Sequence, residues 1–94
     1  MERDELLEMA REEIFDKMNE FNYINNIEVI DDVREDSNLS SDLAMDLFDL
    51  LEVLIGIEEK MGIRISDDAF GDKSVDELTV GIFADILYDW IKSR

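Results

Sequence analysis

The chain has no cysteine, no histidine and no proline, and only four glycines and one tryptophan in 94 residues. Without cysteine there is no disulfide, no thiolate nucleophile and no cysteine-based zinc site. Without histidine the commonest general base and metal ligand is gone. Without proline, and with so few glycines, long helices meet few breakers. No apolar run approaches the roughly 18 residues of a membrane span. The opening stretch, MERDELLEMAREE, lacks the basic and apolar regions of a secretory signal, so the expected location is the cytoplasm. Basic residues are also scarce, nine Lys and Arg against 26 Asp and Glu, which leaves a net charge of −17.

What remains is apolar and acidic. A 46% apolar content supports one small core, so residues 1–94 are expected to form a single domain. The charge is uneven. No Lys or Arg occurs from Glu35 to Glu59, while Glu35, Asp36, Asp42, Asp46, Asp49, Glu52, Glu58 and Glu59 all lie there. This argues against binding phosphate backbones or anionic membranes. It favours a partner with a basic patch. The bland alternative is that the charge serves solubility alone.

Residues 2 to about 21 read as a first helix, with Leu6, Leu7, Ala10, Ile14, Met18 and Phe21 at helical spacing. Asn22, Asn25 and Asn26 end it. In the long connection that follows, Ile27, Val29, Ile30 and Val33 are too apolar for a free linker and are expected to pack across a bundle, joined by Leu39 and Leu43. The strongest helix starts at Leu47, behind Asp46 as N-cap, and stops at Gly62, a residue that tolerates positive φ. Leu47, Phe48, Leu50, Leu51, Val53, Leu54, Ile55, Ile57 and Met61 give it a wide apolar arc centred near Leu54. That width predicts a central helix touching several neighbours. Asp49, Glu52, Gly56, Glu59 and Lys60 fall on the other side. A brief turn is expected at Ala69 and Phe70, ended by Gly71. Ser74 to Glu77 fits a capping box opening a short third helix. Thr79 is expected to cap a last helix running to about Lys92, its core face being Ile82 or Phe83, then Ile86, Leu87, Trp90 and Ile91. The expected class is all-α, a four-helix bundle with a long first connection and a short third helix.

This order resembles the acyl carrier proteins. In that family helix II follows a loop of the type Asp-Leu-Gly-x-Asp and opens with Ser-Leu. Asp42-Leu43-Ala44-Met45-Asp46 occupies the loop without a gap. Phe48 then stands for the family's Leu, and Met61 for the Phe that often closes the helix. Gly62 to Asp67 resembles the family's exit, Ile30-Asp31-Asp32-Val33 its valine after two acids, and Thr79-Val80-Gly81 the start of its helix IV. The resemblance implies a protein that carries an acyl group on a phosphopantetheine arm and is not itself an enzyme. It also implies that Asp49, Glu52, Glu58 and Glu59 face partner enzymes with basic docking patches, and Asp46 is expected to join them or to serve only as the N-cap. One position departs from the pattern: Leu47 stands where the family carries the serine that is esterified to the arm. A leucine has no hydroxyl, so no cofactor is expected at the usual site. Leu47 is open to three readings. It fills the mouth through which the family's acyl chain enters, hiding up to about 2–3 kcal/mol of apolar surface. It stays exposed with Leu50 as a docking patch. Or it is a bare loss of the site.

The expected function is therefore that of a monomeric carrier-fold protein acting as a binding or regulatory partner of acyl-chain enzymes of fatty acid, polyketide or lipid synthesis. The alternative is a genuine carrier with its arm on Ser40 or Ser41, or with its serine lost in this version of the chain. A second alternative is an acidic interaction protein or nucleic-acid mimic. Catalysis by the carboxylate pairs Asp49 with Glu52, or Glu58 with Glu59, is disfavoured, because acids at helical spacing in so acidic a chain form a solvated face. Asp67 to Leu78 fails the calcium-loop spacing, with Ala69 third and Leu78 twelfth. No catalytic or metal-binding residue is expected.

Overall fold

The computed structural model describes residues 2–19 and 32–93. These residues form three α-helices: α1 (Arg3–Asn19), α2 (Leu47–Met61) and α3 (Val80–Lys92). Two 3-10 turns, Asp67–Phe70 and Val75–Glu77, lie between α2 and α3. Among the described residues there is no strand, only an isolated antiparallel bridge between Asn38 and Thr79. The all-α expectation holds. No helix among these residues is long and apolar enough to cross a membrane.

α1 buries Leu6, Ala10, Ile14 and Met18, one residue per turn along a single stripe. Phe21, expected to extend that stripe, lies outside the described residues, as do Asn22, Asn25, Asn26, Ile27, Val29 and Ile30. From the rest of the connection Val33, Leu39 and Leu43 enter the core as expected. Their backbone is tied to the start of α3. Leu39 N–H donates to the Leu78 carbonyl at 2.9 Å, Val80 N–H to Ser37 at 2.9 Å, and Gly81 N–H to Glu35 at 2.8 Å. Gly81 suits that approach, since a Cβ there would meet the Glu35 Cγ at 2.7 Å.

Among the described residues the helix count differs from the expectation. A single 3-10 turn, Val75–Glu77, stands where the short third helix was expected. Ser74 makes no side-chain capping bond. Its hydroxyl donates to the Asp76 and Glu77 carboxylates instead, so the expected capping box is absent. Leu78 is already extended, at φ −108 and ψ 132. Its carbonyl is taken by Leu39, which leaves no second turn. Both ends of α2 and the start of α3 are as expected. Gly62 sits at φ 67 and ψ 32, and its N–H and that of Ile63 both reach the Glu58 carbonyl. Thr79 Oγ1 accepts from the Ile82 N–H at 3.1 Å. On α3 the choice between Ile82 and Phe83 falls to Phe83, which is fully buried with Val80, Ala84 and Leu87.

The centre of the bundle is α1, not α2. Both other α-helices pack on α1, and the Asp67–Phe70 turn packs on α3. α2 buries only Leu50, Val53, Leu54 and Ile57. Phe48 and Ile55, expected within a buried arc, are 72% and 52% exposed. Conversely Asp49, Gly56 and Lys60, expected on the solvent side, turn towards α1. A Cβ on Gly56 would strike the Glu13 carboxylate at 1.8 Å.

Candidate functional site

The site is the start of α2 and the face that runs from it. Its entry loop is held by Asn38, whose Oδ1 accepts from the N–H groups of Ser40 and Ser41, each at 2.9 Å. The Asn38 N–H donates to Asp42 Oδ2 at 2.7 Å, and its Nδ2 donates to the Asp76 carbonyl at 3.0 Å. Ser40 is thereby half-buried and Ser41 exposed, inside a closed turn rather than at a helix end. The chain then passes through Ala44 at φ 55, the one non-glycine residue with positive φ among those described. An L-residue there costs about 1–2 kcal/mol. The resemblance puts a glycine at this position, and this geometry is the physical reason for one.

Asp46 then opens α2 with a full reciprocal cap. Its Oδ1 accepts from the Asp49 N–H at 2.9 Å, and Asp49 Oδ2 accepts from the Asp46 N–H at 3.2 Å. Asp46 was expected as a cap; the return bond from Asp49 was not. Leu47 is the first helical residue and is 57% exposed. It lines one wall of a cleft of about 240 Å³ formed with Leu50, Leu51, Leu54, Phe70, Gly71 and Lys73. Phe70 is held at the cleft floor by stacking on Phe83, with ring centroids 5.6 Å apart. Leu47 therefore borders this cleft without filling it. Leu50 is buried, so the exposed apolar surface is Leu47 with Phe48 and Ile55, not Leu47 with Leu50.

The five acids expected to face a partner do not form one free row. Glu52 receives Lys17 Nζ at 2.5 Å, and the same ammonium lies 4.0 Å from Asp49. Glu58 accepts from the Ile65 N–H at 2.6 Å, which fastens the exit loop to the helix. Asp46 and Glu59 are exposed. A second clasp between α1 and α2 joins Lys60 to Glu13 at 2.8 Å. The Glu13 hydrogen bond raises the Lys60 pKa above its usual value, and burial opposes the shift only in part. Lys17 and Glu13 were not singled out in the sequence, and Lys60 was placed on the solvent side. Gly56 was the available signal, because a glycine inside a helix often marks a close approach.

No family model and no solved structure matches the chain. Two curated relatives do. An acyl carrier protein of Lactobacillus acidophilus is 38% identical over 61 residues, which cover 64% of this chain and 75% of that protein. An acyl carrier protein of a Sulfurovum species is 45% identical over 38 residues, 40% of this chain and 51% of its own length. With the helical order and the capped α2 already described, the first of these matches is extensive enough to decide the kinship: the chain belongs to the acyl carrier protein family.

Proposed function

We propose that this protein takes no phosphopantetheine arm at the family's usual site and works in the cytoplasm as a binding or regulatory partner of acyl-chain enzymes. The observation that carries the proposal is Leu47. It is the first residue of α2, directly behind the Asp46 cap, and its exposed side chain is hydrocarbon only. A phosphodiester needs a hydroxyl oxygen, so the residue present does not fit the group. The docking role is supported by Asp46, Glu52 and Glu59, which lie at the surface of α2 beside exposed Phe48 and Ile55. Such a surface recognises a basic, partly apolar patch and speeds encounter with it. The protein on this reading binds and performs no chemistry of its own.

The test is the intact mass after incubation with coenzyme A and a broad-specificity phosphopantetheinyl transferase. The expected result is no change. A gain of one phosphopantetheine mapped to Ser40 or Ser41 would make the protein a working carrier and sink the proposal. The partner role is tested by charge reversal at Glu52 and Glu59. Asp49 is a poor choice for that purpose, because it also closes the cap of α2. Unchanged binding to every acyl-chain enzyme tried would remove the role.

A further inference from the structure

α1 and α2 are joined by two ion pairs of crossed sign. Lys17 of α1 reaches Glu52, and Lys60 of α2 reaches Glu13. The two clasps differ in access. The Lys17 side chain is 11% exposed and that of Lys60 is 44% exposed. Their acids differ in the opposite sense: Glu52 stands in solvent, whereas the Glu13 side chain is only 14% exposed. The Glu13 carboxylate is slotted between the helices. Its Oε2 takes the Lys60 ammonium at 2.8 Å, and its Oε1 occupies the space that a Cβ at Gly56 would need. Glu12 and Asp16 of α1 also act on the Lys60 charge. One ammonium that solvent can reach therefore answers three acids of the helix at the centre of the bundle.

The intact Lys60–Glu13 pair contributes little, because Lys60 is well exposed. Loss of the Lys60 charge is a different event. It leaves Glu13 ionised in its slot without a cation, and removing one partner of a desolvated pair costs more than the pair contributes. We infer that Lys60 is a charge-operated latch on the contact between α1 and the second half of α2, and that it is the modification site through which the latch is worked, by N-acylation of its amine. The co-reactant is an acyl thioester. The amine nitrogen attacks the thioester carbonyl carbon, the N–C bond forms as the C–S bond breaks, and the displaced proton leaves with the thiol. The amide product is neutral and no longer balances Glu12, Glu13 and Asp16. Lys17, sealed at the other clasp, is not open to the same reaction. The latch depends on neither Leu47 nor a docking partner, so it goes beyond the function proposed above and is tested apart from it.

The test is amide hydrogen exchange on the full chain, with Lys60→Gln standing for the acylated lysine. Exchange is expected to quicken about five- to thirtyfold at Ala10 to Met18 and at Val53 to Ile57, while Phe83 to Leu87 of α3 keep their protection. Lys73→Gln makes the same change in net charge at an exposed lysine outside this contact and is expected to have little effect. Adding Glu13→Gln to Lys60→Gln removes the stranded carboxylate and should restore most of the protection. Equal effects of Lys60→Gln and Lys73→Gln, an equal loss of protection in α3, or no recovery in the double variant would each overturn the latch. The site itself is tested with acetyl coenzyme A at mildly alkaline pH and peptide mapping. Lys73 is expected to react first, because the Glu13 bond holds the Lys60 amine protonated. Lys60 should follow and Lys17 should come last. Acetylation of Lys17 before Lys60 would overturn Lys60 as the site.

Discussion

Ala44 holds the entry to α2 in a backbone conformation that an alanine adopts only under strain. Replacement by glycine removes the Cβ clash, worth about 1–2 kcal/mol, and returns part of it as chain entropy. Ala44→Gly is therefore expected to stabilise the fold by about 0.5–1 kcal/mol, read as a higher urea midpoint at unchanged slope. Three residues on, Leu47 is the residue on which the proposed function turns. Leu47→Ser should make the protein accept one phosphopantetheine from coenzyme A in the mass assay that is expected to leave the parent unchanged. If the serine variant stays unmodified, the loop does not present residue 47 as a carrier does. Leu47 as the deviant position was legible, because Asp42 to Asp46 fit the family loop without a gap. Its exposure was not, because an apolar side chain at the first position of a helix can lie along the neighbouring turn or stand clear of it.

At the scale of the helices, α2 is anchored by two unlike faces. Its apolar face is conventional, and Ile57, fully buried, is the residue to remove. Ile57→Ala is expected to cost about 2–5 kcal/mol in urea unfolding, the usual range for a cavity at that size. Its other face meets α1 through Glu13–Lys60 and Lys17–Glu52 across Gly56. The Glu13 bond raises the Lys60 pKa in the folded state, so the clasp contributes fully below the unfolded value of about 10.4 and fades as pH rises through the folded one. Lys60 is well exposed, and solvent screening keeps that contribution small. The stability gap between the parent and Glu13→Gln should therefore narrow as the pH is raised beyond about 10.5. A gap that stays constant would mean that Glu13 acts by packing alone. The ends of α2 and α3 were readable from Asp46, Gly62 and Thr79, because caps are local chemistry. The 3-10 turn that replaces the expected short third helix was not readable at Ser74, where a hydroxyl can accept from the backbone or donate to a carboxylate, and the neighbouring Asp76 and Glu77 took it.

Over the whole molecule the net charge of −17 dominates the long-range electrostatics, since acids outnumber bases 26 to nine. Arg3 answers two carboxylates at once, bonding Glu35 at 2.7 Å and Asp85 at 2.6 Å, and so joins α1 to α3 and to the connection before α2. Self-repulsion of the excess acids opposes the compact state and is screened by salt. Thermal unfolding is expected to move to higher temperature as sodium chloride is raised from about 0.01 to 0.15 M, where the screening length falls from about 30 to 8 Å. A midpoint indifferent to salt would mean that repulsion is no larger in the fold than in the unfolded chain.

Several properties followed from sequence alone. They were the all-α class, the caps of α2 and α3, the burial of Val33, Leu39 and Leu43, the family resemblance, and the missing hydroxyl at Leu47. Each rests on residue type and short-range order, which need no partner in space to be read. Other properties needed the folded chain. α1 is the centre of the bundle, Phe48 and Ile55 are exposed, and Lys17 occupies an acid that was expected to await a partner. The physical reason is that periodicity along one helix gives the direction in which an arc of side chains points but not how wide a neighbour covers it. Charge counts give the sign of a surface but not which of its members are already neutralised from another helix.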